Sequence, residues 1–518
     1  MNFSYSLTEN ARRYPDRLAV VDGETRLTYA EFNARVNNLA RQLLGSGLGP
    51  GAAIAILMYN CSAFLEVYYA CMRIGAICVP LNYRLAEAEV RHEIEHSRCS
   101  VVFTEDSFHD LISNVARELG SLRLLVTTAD EASEGWLRHA ELISGDGAAV
   151  PDAPVSPEDV QRIMYTSGTT SHPRAVMITH GQVYWGAMTR VADFNLTPHD
   201  VNLTVGPLYH VGALDTNATP TLFIGGTVVV HMNFRPASVM QAIHDEGVTN
   251  CWMAPSMVNM VFQLSDLADY DTSSLRILVL GGEKMPRPLL ERVLNEWPSV
   301  GVYDGYGLTE AQGLVTILPA EHAVAKLGSV GWAGRGREIR LVDDQGHDVL
   351  DGEPGELIIR GPLVFPGYFD DKEATRTTLR AGWLHTGDVA VRDSDGFYFI
   401  VDRKKDMIRS GGENIAASEV ERVIYELPEV GEAAVVAMPH EKWMEVPVAF
   451  LVPKEGQRID RQAVIDHCTK QLAKFKVPQD IRVVEALPRT PSGKVMKKDL
   501  RALFDADGSA DADAPRRA

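Results

Sequence analysis

Hydrophobic positions in the first third of the chain follow two alternating patterns, which together predict a parallel sheet covered by helices. Short, continuously apolar runs are typical of buried parallel strands, and they alternate with amphipathic runs at helical spacing. Thr28 and Glu31 fit a capping box at the start of the first long helix. The predicted strands are 52–58, 76–80 and 100–104, and the predicted helices are 28–44, 62–74 and 85–97. Alternation of this kind favours a doubly wound α/β fold.

The rest of the chain predicts a second α/β part, a β-rich part and a smaller domain. After a loop at 130–157, strands are expected at 226–231, 250–254 and 275–280. Closely spaced turns between about 327 and 402 are typical of a small antiparallel barrel or sheet, and of these we predict a small β-barrel. We therefore expect an N-terminal domain at 1–402 with two doubly wound subdomains and this barrel. A mobile α+β domain at 403–504 and a disordered tail at 505–518 complete the prediction.

Composition narrows the function classes. The 518 residues exceed what one hydrophobic core holds. A net charge of −19 argues against general nucleic-acid binding. No apolar run approaches the roughly 18–20 residues that span a bilayer, so stable membrane insertion is not expected. The chain starts without a secretory pattern, which favours a cytoplasmic protein with buried, reduced cysteines.

The most informative segment is rich in hydroxyls and follows an apolar strand start. It contains Thr166, Ser167, Gly168, Thr169, Thr170 and Ser171, followed by Arg174. Such a loop offers hydroxyl and backbone N–H donors to phosphate oxygens, and the glycine allows close approach. It does not match the Walker A pattern. By composition alone, the segment would be interpreted as a solvated turn.

Four later segments each resemble plain turns when taken singly. Residues 303–310 combine an aromatic ring, a hydroxyl and a carboxylate, which suit a base, a phosphate and Mg²⁺. Residues 385–388 end in a carboxylate that suits a ribose diol. Residues 402–414 are basic and then glycine-rich, and residues 488–494 form a turn that presents a lysine.

In this order, the five segments resemble the adenylate-forming superfamily of acyl-CoA synthetases, peptide-synthetase adenylation domains and luciferases. The resemblance covers about residues 5–504 and is greatest to fatty-acyl or aryl-acid CoA ligases. It implies a ligase that activates a carboxylic acid as acyl-AMP and transfers it to CoA, releasing AMP and pyrophosphate. The implied cofactors are ATP, Mg²⁺ and CoA, with a small-molecule substrate. The resemblance leaves the choice between a monomer and a homodimer open.

The resemblance also implies residue roles. The implied catalytic residues are Lys494 on the acid oxygen and α-phosphate, Thr309 on the α-phosphate, Glu310 on Mg²⁺ and His210 beside the acyl pocket. The implied metal ligands are Thr166 and Glu310. The implied nucleotide and cofactor contacts are Thr166, Ser167, Gly168, Thr169, Thr170, Ser171, Arg174, Gly282, Glu283, Lys284, Asp304, Gly305, Tyr306, Gly307, Asp388, Arg403, Lys405, Arg409, Gly411 and Gly412. Lys405 also matches the hinge position between the domains.

Departures from the family pattern keep other reactions open. Ser171-His-Pro-Arg-Ala175 replaces the usual Gly-x-Pro-Lys-Gly. Ala416-Ala417, Ala437-Met-Pro-His440 and Met444 depart in the half that governs the second step. One alternative is an ATP-dependent diazotase that activates nitrite for attack by an aromatic amine, and another is an acid–AMP ligase that loads a carrier protein. A nucleotide-binding regulator without catalysis is the alternative from a different class.

Overall fold

The computed structural model describes residues 2–166, 173–281, 285–410, 413–440, 442–490 and 495–507. The chain forms two compact units. The first unit comprises Met1–Ile339, Ile359–Leu384 and Gly396–Tyr398, and the second comprises Arg340–Ile358, His385–Asp395 and Phe399–Ala518. The chain therefore passes between the units several times, whereas the sequence placed a single domain boundary at 402. That boundary and the hinge near Lys405 stay predictions.

The first unit contains two seven-stranded sheets, each parallel except for one antiparallel strand at an edge. The first sheet runs, in spatial order, Trp136–Arg138, Leu124–Thr127, Val101–Thr104, Ala53–Leu57, Ile77–Pro80, Val160–Thr166 and Arg174–Thr179. The second sheet runs Gly301–Asp304, Ile277–Leu280, Asn250–Met253, Val201–Thr204, Thr227–Val230, Leu18–Asp22 and Thr25–Thr28. The predicted pair of doubly wound subdomains is thereby confirmed.

Helices cover these sheets. The longer ones are Tyr5–Arg13, Tyr29–Gly45, Ser62–Ile74, Glu87–His96, His109–Glu118, His180–Phe194, Pro236–Glu246, Pro255–Val261, Arg287–Glu296 and Lys372–Thr378, and the shorter ones are His139–Leu142, Val211–Ala213 and Thr219–Ile224. Thr28 and Glu31 form the predicted capping box at Tyr29–Gly45. The element Trp136–Arg138 and the helix after it fall in the segment predicted as a loop, because three residues are too short to show a period.

A third sheet replaces the predicted barrel. Its strands are Glu338–Val342, Gly355–Arg360, Trp383–Arg392, Leu379–Arg380 and Tyr398–Arg403. The sheet is open, since no pairing among the described residues joins its two edges. The prediction of antiparallel strands and close turns was right, and closure into a barrel is not detected among the described residues. Spacing of short strands reports turns and not the register that closes a barrel.

The second unit has its own five-stranded sheet. In spatial order its strands are Glu413–Ile415, Ile408–Ser410, Met444–Pro453 and Val430–His440, with Asp480–Val483 beside Met444–Pro453. The helices of this unit are Ala417–Ile424, Arg461–Gln471 and Lys497–Asp507. The last helix extends three residues into the stretch predicted as a disordered tail. Residues 508–518 lie outside the described residues.

The burial of the cysteines and the character of the helices bear on two further predictions. Five of the six cysteines are buried, as predicted, and Cys61 is partly exposed. Among the described helices, none combines the length and apolar character needed to cross a membrane.

Candidate active site

The predicted nucleotide-binding turn follows the edge strand Gly301–Asp304 of the second sheet, at its carboxyl end. Ligands of open α/β sheets commonly bind at this edge. The chain then forms a short hairpin of Gly307–Leu308 with Gly313–Leu314. A Cβ atom on Gly307 would lie 2.3 Å from the carbonyl oxygen of Gly313, and one on Gly305 would lie 2.6 Å from that of Thr316. Both glycines are therefore required by backbone packing, whatever ligand the turn holds.

The backbone around the predicted adenine residue is fixed by neighbouring strands. The Tyr306 carbonyl accepts hydrogen bonds from the N–H groups of Val315 (2.7 Å) and Thr316 (3.1 Å). The Gly305 N–H donates to the Asp304 carboxylate at 2.7 Å. Burial nevertheless raises the pKa of Asp304 to about 7. The carboxyl group of Asp304, at the start of the turn, therefore has a pKa close to neutral pH.

Thr309 and Glu310 lie on a short turn that buried hydrogen bonds of the residue following it, Gln312, hold in place. Thr309 is buried in the short helical turn Thr309–Ala311. Gln312 follows with a left-handed backbone (φ 56°), and its amide lies against Gly186, where a Cβ would approach it to 2.0 Å. The same amide donates to the Asp215 carboxylate at 3.0 Å. A buried carboxylate therefore holds the turn that carries Glu310.

Asp215 is in turn paired with Arg162 of the first sheet, and both side chains are buried. Arg162, Asp215 and Gln312 were not predicted from the sequence. The available signal was an arginine in the middle of an apolar strand, which requires a buried counter-charge.

Glu310 and Arg174 are joined by a third side chain, Tyr368. The Tyr368 hydroxyl donates to Oε1 of Glu310 at 2.8 Å and accepts a hydrogen bond from Nη1 of Arg174 at 3.4 Å. The guanidinium also lies over the ring, 5.1 Å from its centroid. Burial, followed by the nearby Glu310 charge, raises the pKa of Tyr368, so the phenol stays protonated. Tyr368 was not predicted, because nothing local distinguishes the aromatic residue after Gly367.

Thr166 and Glu310, the predicted metal ligands, are linked by hydrogen bonds through Arg174 and Tyr368. The Thr166 hydroxyl donates to the Arg174 carbonyl at 3.4 Å, and Arg174 reaches Glu310 through Tyr368. A hydroxyl and a carboxylate are the hard oxygen donors that Mg²⁺ prefers, so this donor set fits the metal. The remaining loop residues, which are Ser167, Gly168, Thr169, Thr170 and Ser171, lie outside the described residues.

His210 and the indole of Trp252 both lie close to Gly212. Nδ1 of His210 accepts the N–H of Gly212 at 3.0 Å and caps the short helix Val211–Ala213. Added Cβ atoms on Gly206, Gly212 and Gly281 would lie 3.0, 3.7 and 3.2 Å from the Trp252 indole. Trp252, which was not predicted from the sequence, therefore packs closely against these three glycines. Gly282, Glu283 and Lys284 lie outside the described residues.

The second unit brings together the predicted ribose residues. Nε of Arg403 lies 3.2 Å from the buried carboxylate of Asp388. Lys405 follows two residues later, and burial of its side chain, together with the positive charges of Arg403 and Arg501, lowers the pKa of its ammonium group. Arg501 also forms an ion pair with Asp406 at 3.3 Å. The segment 403–406 is thus a basic turn with ion pairs at Arg403 and Asp406.

Arg409 lies on the strand Ile408–Ser410, where its N–H donates to Glu445 at 2.7 Å. Its guanidinium is exposed to solvent. Gly411, Gly412 and Lys494 lie outside the described residues. The structure therefore places three groups of predicted residues: the Thr166–Glu310 chain, the neighbourhood of His210, and the basic turn of the second unit.

Comparison with known proteins identifies the family. The AMP-binding enzyme family matches residues 7–369, and the AMP-binding enzyme C-terminal domain matches residues 419–494. The chain is 38% identical to a feruloyl-CoA synthase of Amycolatopsis sp. over 95% of its length and 97% of that protein. It is 35% identical to an indoleacetate–CoA ligase of Aromatoleum aromaticum over 97% of its length and 98% of that protein.

A solved structure gives the same result. The chain resembles an anthranilate CoA ligase in complex with anthranoyl-AMP, with a TM-score of 0.88 and 26% identity over 98% of both chains. The resemblance inferred from five motifs is therefore confirmed over almost the whole sequence. The chain belongs to the AMP-binding enzyme family, which is the adenylate-forming superfamily.

Proposed function

We propose that the protein is an AMP-forming acid–CoA ligase that uses ATP and Mg²⁺ to activate a carboxylic acid as its acyl-adenylate. The observation that carries this proposal is the Tyr368 hydroxyl, which joins the Arg174 guanidinium to the Glu310 carboxylate, together with the Thr166 hydroxyl, which donates to the Arg174 main-chain carbonyl. The two relatives that match over nearly their full length are named as a CoA synthase and a CoA ligase.

The chemistry explains why these groups are needed. A carboxylate and an α-phosphate are both negative, so attack requires charge neutralisation and in-line positioning. We assign Arg174 to the phosphates, and Thr166 and Glu310 to Mg²⁺, which would neutralise charge on the phosphate oxygens. Thr309 and Lys494 are assigned to the α-phosphate, and the lysine also to the acid oxygen.

The remaining assignments concern the nucleoside and the second step. Tyr306 is assigned to adenine, and Asp388 with Arg403 to the ribose. Lys405 is assigned to the hinge that separates adenylation from thioester formation. The other assigned contacts are Ser167, Gly168, Thr169, Thr170, Ser171, Gly282, Glu283, Lys284, Asp304, Gly305, Gly307, Arg409, Gly411 and Gly412.

An aromatic acid is the proposed substrate, ahead of a fatty acid. The indole of Trp252 and the ring of His210 both lie against Gly212, and such aromatic surfaces suit a flat ring. The feruloyl and indoleacetate relatives are both named for aromatic acids. As part of the same proposal, the enzyme works in the cytoplasm on small molecules.

One assay tests the activity and the acceptor together. AMP release is measured with a panel of aromatic and fatty acids, with and without CoA, and in parallel with nitrite plus an aminoaryl acid. Acid-dependent AMP and a thioester mass are expected, with Glu310→Gln as the impaired control. Nitrite-dependent AMP without a thioester would contradict the proposal and indicate a diazotase. Acid-dependent AMP with no thioester to CoA would indicate a different acceptor, such as a carrier protein.

A further inference from the structure

Tyr368 is held in place independently of the groups that its hydroxyl contacts. It is only 4% exposed and precedes the helix Lys372–Thr378. Its backbone N–H donates to the Thr375 hydroxyl at 2.9 Å, and it forms an isolated bridge with Val176 of the first sheet. The phenol therefore projects from a backbone that is fixed on two sides.

The hydroxyl of this fixed ring serves both as a donor and as an acceptor. It donates to Oε1 of Glu310 and accepts from Nη1 of Arg174, whose guanidinium covers the ring. The Glu310 backbone is held separately, because its carbonyl accepts the Phe365 N–H at 2.8 Å. Glu310 is thus constrained at both its main chain and one carboxylate oxygen.

We propose that Tyr368 is a positioning residue that turns the carboxylate of Glu310 toward Mg²⁺ and aligns Arg174 with it. A carboxylate with one oxygen engaged in a hydrogen bond presents the other oxygen in a fixed direction. Hydrogen-bond partners of metal ligands commonly contribute about 10–100-fold to metal affinity. This inference rests on the proposed function for the roles of Glu310 and Arg174, and it adds a residue that neither the motifs nor the relatives' names identify.

The direct test is metal binding by Tyr368→Phe in the full-length protein. Mn²⁺ is titrated in the presence of the non-hydrolysable analogue α,β-methylene ATP, and bound Mn²⁺ is followed by electron paramagnetic resonance. We expect about 10–100-fold weaker Mn²⁺ binding, with unchanged affinity for AMP measured without metal. The matched control is Tyr29→Phe, which removes another buried phenol, one that donates to the Gly226 carbonyl at 2.6 Å in a different part of the first unit.

Two further variants show whether the effect passes through Glu310. In a double-mutant cycle, Tyr368→Phe should add little to Glu310→Gln, because contacting residues are not additive. If Tyr368→Phe does not fold, Thr375→Val disturbs the same ring from its backbone side and should weaken Mn²⁺ binding by several-fold. Mn²⁺ affinity equal to that of Tyr29→Phe would overturn the proposal, and so would an equal loss of metal-free AMP binding.

The outcome is separable from that of the proposed function. Binding of Mn²⁺ with the nucleotide analogue requires neither an acid nor CoA. If no acid is activated but Tyr368→Phe still weakens Mn²⁺ binding, the ligase assignment fails and the positioning role stands. If acids are activated and the variant binds Mn²⁺ normally, the positioning role fails alone.

Discussion

Arg162 and Asp215 form an ion pair that solvent does not reach, with side-chain exposures of 0% and 1%. Arg162 belongs to the first sheet, and its other terminal nitrogen donates to the Tyr68 hydroxyl at 2.5 Å. Asp215 accepts the Gln312 amide from the turn that carries Glu310. The pair therefore joins the interior of the first sheet to the candidate metal-binding turn.

Asp215→Asn should be strongly destabilising. The substitution keeps the shape but leaves the Arg162 guanidinium charged and unpaired in the interior, which typically costs about 3–5 kcal/mol. Urea unfolding measures the loss. The control is Glu246→Gln, which breaks a partly exposed pair with Arg26 and should cost less than about 1 kcal/mol. Similar losses in the two variants would show that the buried pair has no special role.

Gly307→Ala should disrupt the nucleotide-binding turn. A Cβ at this position would lie 2.3 Å from the Gly313 carbonyl oxygen, so the hairpin must open. Overpacking of this kind costs about 1–3 kcal/mol, and ATP binding should weaken with it. Calorimetric ATP titration and thermal unfolding check both effects. Gly45→Ala is the control, because nothing lies within 4 Å of a Cβ at that position. If Gly307→Ala lowered the unfolding temperature and the ATP affinity no more than Gly45→Ala does, the prediction would be contradicted.

Local patterns were enough to place most of the sheet and helix elements. The predicted helix 62–74 has these bounds in the structure because Gly75, with φ 70°, ends it in the left-handed conformation. The strand at Ala53–Leu57 is within one residue of its prediction at each end, since it is buried along its whole length. Such features depend on neighbours in the sequence, and one chain is sufficient to show them.

The contacts that complete the site could not be predicted in this way. Tyr368 is 194 residues from Arg174 and 58 from Glu310, so no periodicity or spacing links the three. The same holds for Asp215 and Gln312, which are 97 residues apart. The motif residues themselves were recognisable because family members share them. Their supporting side chains follow from tertiary packing alone.

The free energy of unfolding should decrease as the pH falls below neutrality, because of His180. Its ring is buried, neither nitrogen has a hydrogen-bond partner among the described residues, and it starts the helix His180–Phe194. Burial lowers its pKa to about 4, and the helix N-terminus also disfavours a cation. Between about pH 6.5 and 4 the unfolded chain binds a proton that the folded chain does not, so stability decreases as pH falls.

His180→Leu removes this component. The wild type should lose up to about 3 kcal/mol more than the variant between pH 7 and pH 4, measured by urea unfolding at each pH. His347→Gln is the control, since that imidazole is 78% exposed. A variant whose stability changes with pH as steeply as the wild type's would exclude His180 as the source.

Met444→Gly should stabilise the protein. Met444 pairs with His440 in a hairpin and has a left-handed backbone, with φ 68°. The residue is 72% exposed, so its strained backbone is not compensated by burial of the side chain. The left-handed conformation costs about 1–2 kcal/mol for residues other than glycine, and the entropy of glycine offsets part of that gain. We expect a gain of about 1 kcal/mol by scanning calorimetry. Met232→Gly, at an exposed position without positive φ, should give no gain, and equal behaviour of the two would argue against strain.

Lys494→Ala should separate the two half-reactions of the proposed ligase. The lysine is assigned to the acid oxygen and the α-phosphate, so its loss should slow acyl-AMP formation by about 10²–10³-fold, as expected for one preorganised charge contact. Thioester formation from synthetic acyl-AMP and CoA should be nearly unchanged, because the repulsion between the acid's carboxylate and the α-phosphate, which the lysine is assigned to offset, exists only in the first step. Pyrophosphate release and thioester formation are followed separately. The control is Lys498→Ala, which changes an exposed lysine in the last helix. If Lys494→Ala slowed both steps equally, a role confined to adenylation would be excluded.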